Sequence, residues 1–249
     1  LNHRLIDRAR IDVEIARALS APFRDDDWPE KLVIAALLLL LPLIGPLLVL
    51  GWALHYAREV AEQRDRVLPH WQNWSEHLTL GLLGAVATVV WFLPTLVVLA
   101  LSALALFPAL LGDDRARIIS LAISLAGLFC LALPLAMLTT ILLPVPLGRL
   151  ATTNQLSKAL SVVGALHEAR QVLPSLLVTW IVLLLHSLGQ AVLVSIASQF
   201  ALFLCLPGIA ASVILATGLQ AHQCLVMAHL TGQIRYRLEP HREPTAGEA

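Results

Sequence analysis

Three histidines, His186, His222 and His229, stand in a stretch from Val172 to Ile234 that contains no Asp, Glu, Lys or Arg. Imidazole is the common protein ligand of haem, chlorin pigments and many metals, so two imidazoles facing each other across apolar helices would be the sharpest chemical signal in this chain. Counted outward from Pro207-Gly208, His186 and His229 fall at nearly equal depth on antiparallel neighbours, and are the pair expected to approach. Ser187, Gln190 and Ser198 on the first helix, with Thr217, Gln220, Gln223 and Thr231 on the second, supply hydroxyls and amides that can satisfy imidazoles. All three histidines are therefore expected to be uncharged and hydrogen-bonded to neighbouring spans, with no cofactor assigned to them.

Other reactive groups give weaker signals. Cys130, Cys205 and Cys224 are isolated in apolar runs without CxxC spacing, which points to buried thiols rather than a disulfide framework or zinc ribbon. Asp25-Asp26-Asp27 lacks the glycine and alternating ligands of a calcium loop; Asp27 with Glu30 reads instead as a helix-capping pair. His55, His70, His77 and His167-Glu168 have no HExxH-type spacing and are expected as solvated interfacial histidines, not metal ligands. No acid, base and nucleophile set can be assembled from motif spacing, so no enzyme is expected.

The elements that hold these groups are set by the bilayer. Leu78–Leu111, Ile118–Gly148 and Val172–Ile234 carry no charged residue. A hydrocarbon core of roughly 30 Å needs about 20 helical residues, so the last stretch holds two spans, folding back near Pro207-Gly208. Composition agrees: 58% hydrophobic, 14% charged and a mean hydropathy of +0.78 describe an all-α integral membrane protein. The first residues show no short basic start leading into an apolar run, so no cleavable signal is expected.

Residues 31–57 are long enough to span but are interrupted by Pro42, Gly45 and Pro46. Two readings are open, a re-entrant hairpin and a Pro-kinked span, and charge favours the first. As a fifth span they would split the cationic residues almost evenly between the two sides. As a re-entrant hairpin with its tip at Pro42, Gly45 and Pro46, they leave all Lys and Arg but Arg115 and Arg117 on one face, a strong positive-inside signal. The tip is then expected to be shielded by protein, because unpaired backbone groups facing lipid cost several kcal/mol each.

The organisation that follows is a single membrane domain. Residues 1–30 form an amphipathic surface helix and cap, with an apolar stripe of Leu5, Ala9, Val13 and Ala16. Residues 31–57 are the broken hairpin, 58–77 a linker, 78–235 a four-span bundle and 236–249 a polar tail. In the linker, Leu68-Pro69 stops a polar helix and Asn73 with Glu76 caps the next span. Trp71 and Trp74 are thereby placed at the water–lipid boundary as interface anchors. Gly81, Gly84 and Thr88, and Ser120, Ser124 and Gly127, mark close helix packing.

The run Gly51-Trp52, Arg58, Leu68-Pro69-His70-Trp71-Gln72-Asn73-Trp74 and Gly81-Leu82 resembles the signature of domain-of-unknown-function family 4013, multi-pass membrane proteins of bacteria and archaea. In that family a Pro/Gly-broken apolar segment ends in a Gly-aromatic pair, and a short charged helix leads to an LP-x-[FW]-x-[DN]-[WF] box. The ending Ala228-His229-Leu230-Thr231-Gly232-Gln233 is similar to the family's closure. The resemblance covers residues 20 to 235; it implies architecture and a bacterial membrane location and brings no activity or functional residues.

Three classes of function remain open. The first is a non-catalytic accessory or assembly subunit that docks with another membrane protein or with itself. The second is passive transport or lipid handling at the broken hairpin; the third is a haem- or pigment-binding subunit using His186, His222 and His229. The lack of any charged residue within the spans disfavours ion coupling. The expected surroundings are the bilayer of the cytoplasmic membrane, with both termini cytoplasmic and no nucleic-acid partner.

Overall fold

The computed structural model describes residues 14–63, 68–108, 113–203 and 205–239, with side chains at 201–206 left out of account. Most of the expected amphipathic stripe, including Leu5, Ala9 and Val13, and the 236–249 tail beyond Glu239 lie outside the described residues. Among the described residues the protein is helical and has no strand. Helix α1 (Ile15–Ser20) and a 3₁₀ turn (Ala21–Arg24) lead to α2 (Trp28–Leu38) and α3 (Ile44–Ala61). Then come α4 (Trp74–Leu104), α5 (Asp114–Ala126), a π-helical segment (Gly127–Ala132) and α6 (Leu133–Leu142). Helices α7 (Pro144–Thr153), α8 (Leu156–Ala159) and α9 (Val162–Gln171) connect to the closing pair α10 (Leu173–Phe203) and α11 (Cys205–Leu238).

Four helical stretches are long and apolar enough to cross a membrane: Trp74–Leu104, Asp114–Thr153, Leu173–Phe200 and Pro207–Leu238. Helix α10 ends at Phe203 and α11 begins at Cys205, so the expected turn residues Pro207-Gly208 lie within α11. Pro207 sits instead in the first turn of α11, where its missing N–H has no intrahelical acceptor to lose. The second span begins earlier than its charge-free stretch because Asp113 caps it, accepting from the Ala116 N–H at 2.9 Å.

The broken segment is a helix–turn–helix folded back on itself. Trp71 shows this, since its indole donates to the Lys31 carbonyl on α2 at 3.1 Å while its ring stacks on Trp52 of α3, with centroids 4.7 Å apart. The turn lies at Leu39–Leu43, so of the three residues expected at the tip only Pro42 is in it. Gly45 and Pro46 open α3. Gly45 is required there because a Cβ would strike the Leu38 carbonyl. The backbone closes on itself: Leu40 and Leu41 donate to Leu37 and Leu38, Gly45 to Leu41, and Ile44 to Pro42. The last bond makes a γ-turn centred on Leu43 at φ 68°, ψ −62°, a strained conformation costing about 1–3 kcal/mol. These internal bonds replace the expected protein shield. The tip side chains stay uncovered, with Leu43 82% exposed.

Packing concentrates at one end of the bundle. Helices α2 and α3, the start of α4, α7 and the C-terminal half of α11 share a core that includes Trp52, Tyr56, Leu150 and Leu225. Gly51 and Gly81 meet where α3 crosses α4; a methyl on either would strike the carbonyl of His77 or Leu47 on the other helix. Gly84 faces Leu50 and Leu54, so the small residues of α4 receive the hairpin rather than another span. Gly127 and Ser124 lie against Ser102, whose carbonyl accepts the Ser124 hydroxyl at 2.8 Å. At the other end α5 and the π segment pack along α4, and α10 along α11, with few contacts between the two pairs. In no spanning window is more than 17% of the residues buried.

Replacing Gly81 with Ala is expected to destabilise the protein by ~1–3 kcal/mol through forced separation of α3 and α4. Gly189→Ala and Gly218→Ala, where an added methyl meets nothing within 4 Å, should be neutral or mildly stabilising. Thermal unfolding in detergent checks both, and equal melting points for the three variants would refute the crossing as a packing constraint.

Candidate functional site

The Leu68–Trp74 box is fastened by a carboxylate that has no local sequence signature. Asp25, 5% exposed, accepts from the Lys31 ammonium at 2.8 Å, the Leu68 N–H at 2.8 Å and the Asp27 N–H at 2.8 Å. Lys31 also donates to the Leu68 carbonyl at 2.9 Å. Burial by itself raises the pKa of the Asp25 carboxyl, but the hydrogen bonds from Lys31, Asp27 and Leu68 and the Lys31 charge together bring it below its ordinary value. Asp27 occupies the N-cap of α2 as expected, yet its side chain makes no capping bond. Asn73 does the same at α4, and its expected partner Glu76 turns to His55 instead, at 3.3 Å.

The tryptophan pair divides. Trp74 is 44% exposed. Trp71, only 7% exposed, is an inner residue wedged between Lys31, Trp52 and His77, because the hairpin folds over it. Trp52 completes the clamp by donating to the Pro69 carbonyl at 2.8 Å. His77 is buried too, its Nε2 donating to the His70 carbonyl at 3.1 Å and its ring set edge-on to His55. The expectation of solvated histidines therefore fails for His77, again because the hairpin covers it. His167 stays apart, bonded to Gln171 at 3.1 Å. Among the described residues no three His, Cys, Asp or Glu side chains are grouped to hold a metal ion.

The intramembrane histidines pair differently from the depth count. His186 meets His222, not His229, with Nε2 and Nδ1 3.3 Å apart. The Gln190 amide bridges His186 and the Leu219 carbonyl, and Gln223 donates to Ser187 at 2.6 Å. His229 shares a hydrogen bond of 3.0 Å with the Tyr56 hydroxyl of α3. The depth count misses this because the hairpin, running beside α11, takes His229 before α10 can reach it. Ser198 donates to the Val194 carbonyl of its own helix.

A second polar centre lies at the same end of the bundle. Glu168 of α9 accepts from Arg149 of α7 at 2.8 Å and from Arg235 of α11 at 3.2 Å, tying the 149–171 connection to the last helix. The Glu14 N–H donates to the Gln233 side chain at 3.1 Å, so the start of the described chain joins this end as well. These centres hold helices together.

Breaking the buried pair with Asp25→Asn should cost about 3–5 kcal/mol. A carboxyl whose folded pKa lies below its unfolded value contributes fully above the unfolded value, and the contribution is lost as pH falls through the folded one. The wild-type melting point should therefore drop on acidification below about pH 4, and that of Asp25→Asn should drop less. Trp71→Ala is expected to cost about 3–5 kcal/mol, whereas Trp74→Ala should stay within about 0.5 kcal/mol in detergent. Equal losses from the two tryptophans would show that the clamp is not where the stability lies.

Residues 34–206 match the family model described as "Protein of unknown function (DUF4013)". No curated protein and no solved structure matches the chain. The matched region runs from α2 through the Trp box and the long apolar helices to the start of α11, and the chain belongs to the DUF4013 family.

Proposed function

We propose that the protein is a non-catalytic accessory or assembly subunit of the cytoplasmic membrane, docking through its splayed spans with another membrane protein or a second copy of itself. The observation that carries this reading is the sparse packing of the spans outside the clamped end. Among the described residues, beyond Ala87 only Thr95 is buried on α4, and on α10 beyond Trp180 only Gln190 is. The Gln199 amide is exposed on this part of α10, and an amide facing hydrocarbon is unfavourable unless a neighbouring helix supplies partners. The hairpin tip, Leu39–Leu43, has no polar side chain with which to build a passage.

Orientation follows from charge. The clamped end holds Arg149 and Arg235, and fifteen of the seventeen Lys and Arg fall on that side if the hairpin re-enters, which makes it cytoplasmic. Both termini then lie inside the cell, and the exposed leucines of the tip enter the bilayer from that side.

Crosslinking in native membranes followed by purification tests the docking. A stoichiometric membrane partner, or a disulfide-linked dimer of Gln199→Cys in a background without native cysteines, is the expected result; a monomer recovered alone at every crosslinker dose overturns it. A cysteine at Gln63 should react only with reagents that enter the cytoplasm. Labelling from the outer side in intact cells would abolish the re-entrant arrangement and make the hairpin a span.

A further inference from the structure

The arginines at the clamped end are used unequally. Arg149 commits its guanidinium to the Glu168 carboxylate and to the carbonyls of Lys158 and Ser161, and Arg235 to Glu168 and Glu239. Both are structural. Arg17 of α1 donates through Nη1 to the Glu14 carboxylate at 2.5 Å, and among the described residues nothing accepts from its buried Nε. A guanidinium presents five N–H donors and stays charged at any ordinary pH, so most of the bonding capacity of Arg17 is unused within the described chain. The side chain is 36% exposed, which leaves its outer N–H groups open to a ligand.

Arg17 lines a cavity of about 190 Å³ formed by the start of the described chain, the end of α3 and the last turns of α11. Arg237 lines it too, with its guanidinium held by the Ser175 hydroxyl at 3.2 Å. Gln233 adds a neutral donor: the Glu14 N–H that it meets at 3.1 Å can only donate, so the atom facing it is the amide oxygen and the NH₂ is the other end. Gln63 brings a second amide. The one carboxylate in the lining, Glu14, is already bonded to Arg17, and two arginines against it leave the cavity cationic and rich in N–H groups. Such a wall suits an anion with several oxygens, and phosphate takes arginine through paired N–H···O bonds. A second cavity, of about 470 Å³, shares the Glu14–Arg17 wall and adds Arg24.

Depth selects the source of that anion. Gln233 and Arg237 belong to the last turns of Pro207–Leu238, a stretch long and apolar enough to cross a membrane, so the cavity lies where such a helix leaves hydrocarbon and lipid phosphates begin. Basic pockets between helices at this level hold anionic headgroups. We propose that this cavity, with Arg17 and Arg237 as its cationic walls, binds the phosphate of an anionic phospholipid headgroup. A zwitterionic head is disfavoured, because it brings an ammonium that both arginines repel. Binding adds hydrogen bonds and charge attraction, and no covalent bond changes. The bound lipid joins α1 to α11 beside the place where Ala18 packs on Val226 and Leu230.

The test uses the full chain in an uncharged detergent, titrated calorimetrically with dioctanoyl phosphatidylglycerol, dioctanoyl phosphatidylcholine and inorganic phosphate. Phosphatidylglycerol should bind saturably and more tightly than the other two. Arg17→Gln should weaken that binding about tenfold, the loss expected of one charge-assisted hydrogen bond, and Arg17→Lys should weaken it less. Arg115→Gln, at an exposed position on α5, reports general surface charge and should leave binding unchanged. Equal affinity for the two lipids, inorganic phosphate bound as tightly as phosphatidylglycerol, or equal losses from Arg17→Gln and Arg115→Gln would each overturn the proposal. Should Arg17→Gln fail to fold, a photoreactive phosphatidylglycerol on the wild-type chain decides: crosslinks within residues 14–24 or 233–237 support the site, and crosslinks confined to other segments overturn it.

Discussion

The arrangement depends on the Asp25 carboxylate. Its three donors come from the residues before α2, from α2 itself and from the Trp box 43 positions downstream, so one charged group fixes the base of the hairpin to the chain that leaves it. A buried ion pair is weak evidence of net stability, since taking two charges out of water offsets most of their attraction. Its value here is specificity. With Lys31 held at the base, α2 cannot slide along α3, and the Trp52–Trp71 stack has one register in which to form.

From that base the hairpin acts as the inner element of the fold. Tyr56 takes His229, Gly51 receives α4, and Ala57 with Val60 packs against Gly232 of α11. This helix–turn–helix thus supplies more of the shared core than the long apolar helices supply to one another. Close backbone approach at the glycines allows this, because in lipid the hydrophobic effect does not drive helices together and packing depends on contact and interhelical hydrogen bonds.

How much was legible in the sequence follows the same division. The four long apolar helices could be read from charge-free length, and the break between α2 and α3 from Pro42, because both are set by backbone and solvent rather than by partners. The family could be read from the Trp box. What was not legible was which residue meets which. Trp71 and His77 read as interfacial because no local pattern announces that a hairpin will cover them. His186 and His229 were matched by depth alone, without a third helix that competes for His229. Asp25 sat in a run of three aspartates and gave no hint which one would be buried, because its partners Lys31 and Leu68 are joined to it only by the fold.

The π segment at Gly127–Ala132 winds in more residues per turn than the helices around it, and the Leu133 N–H reaches back five residues to the Leu128 carbonyl. Each added residue shifts the downstream face by about 100° relative to an uninterrupted α-helix. Ser124 before the bulge and Gly127 at its start look toward α4, while Thr140 and Ile141 beyond it look toward Trp180 and Leu176 of α10. A single transmembrane rod therefore has two differently aimed faces, and the length of the chain between them, not its side chains, sets the angle at which the two helix pairs are joined.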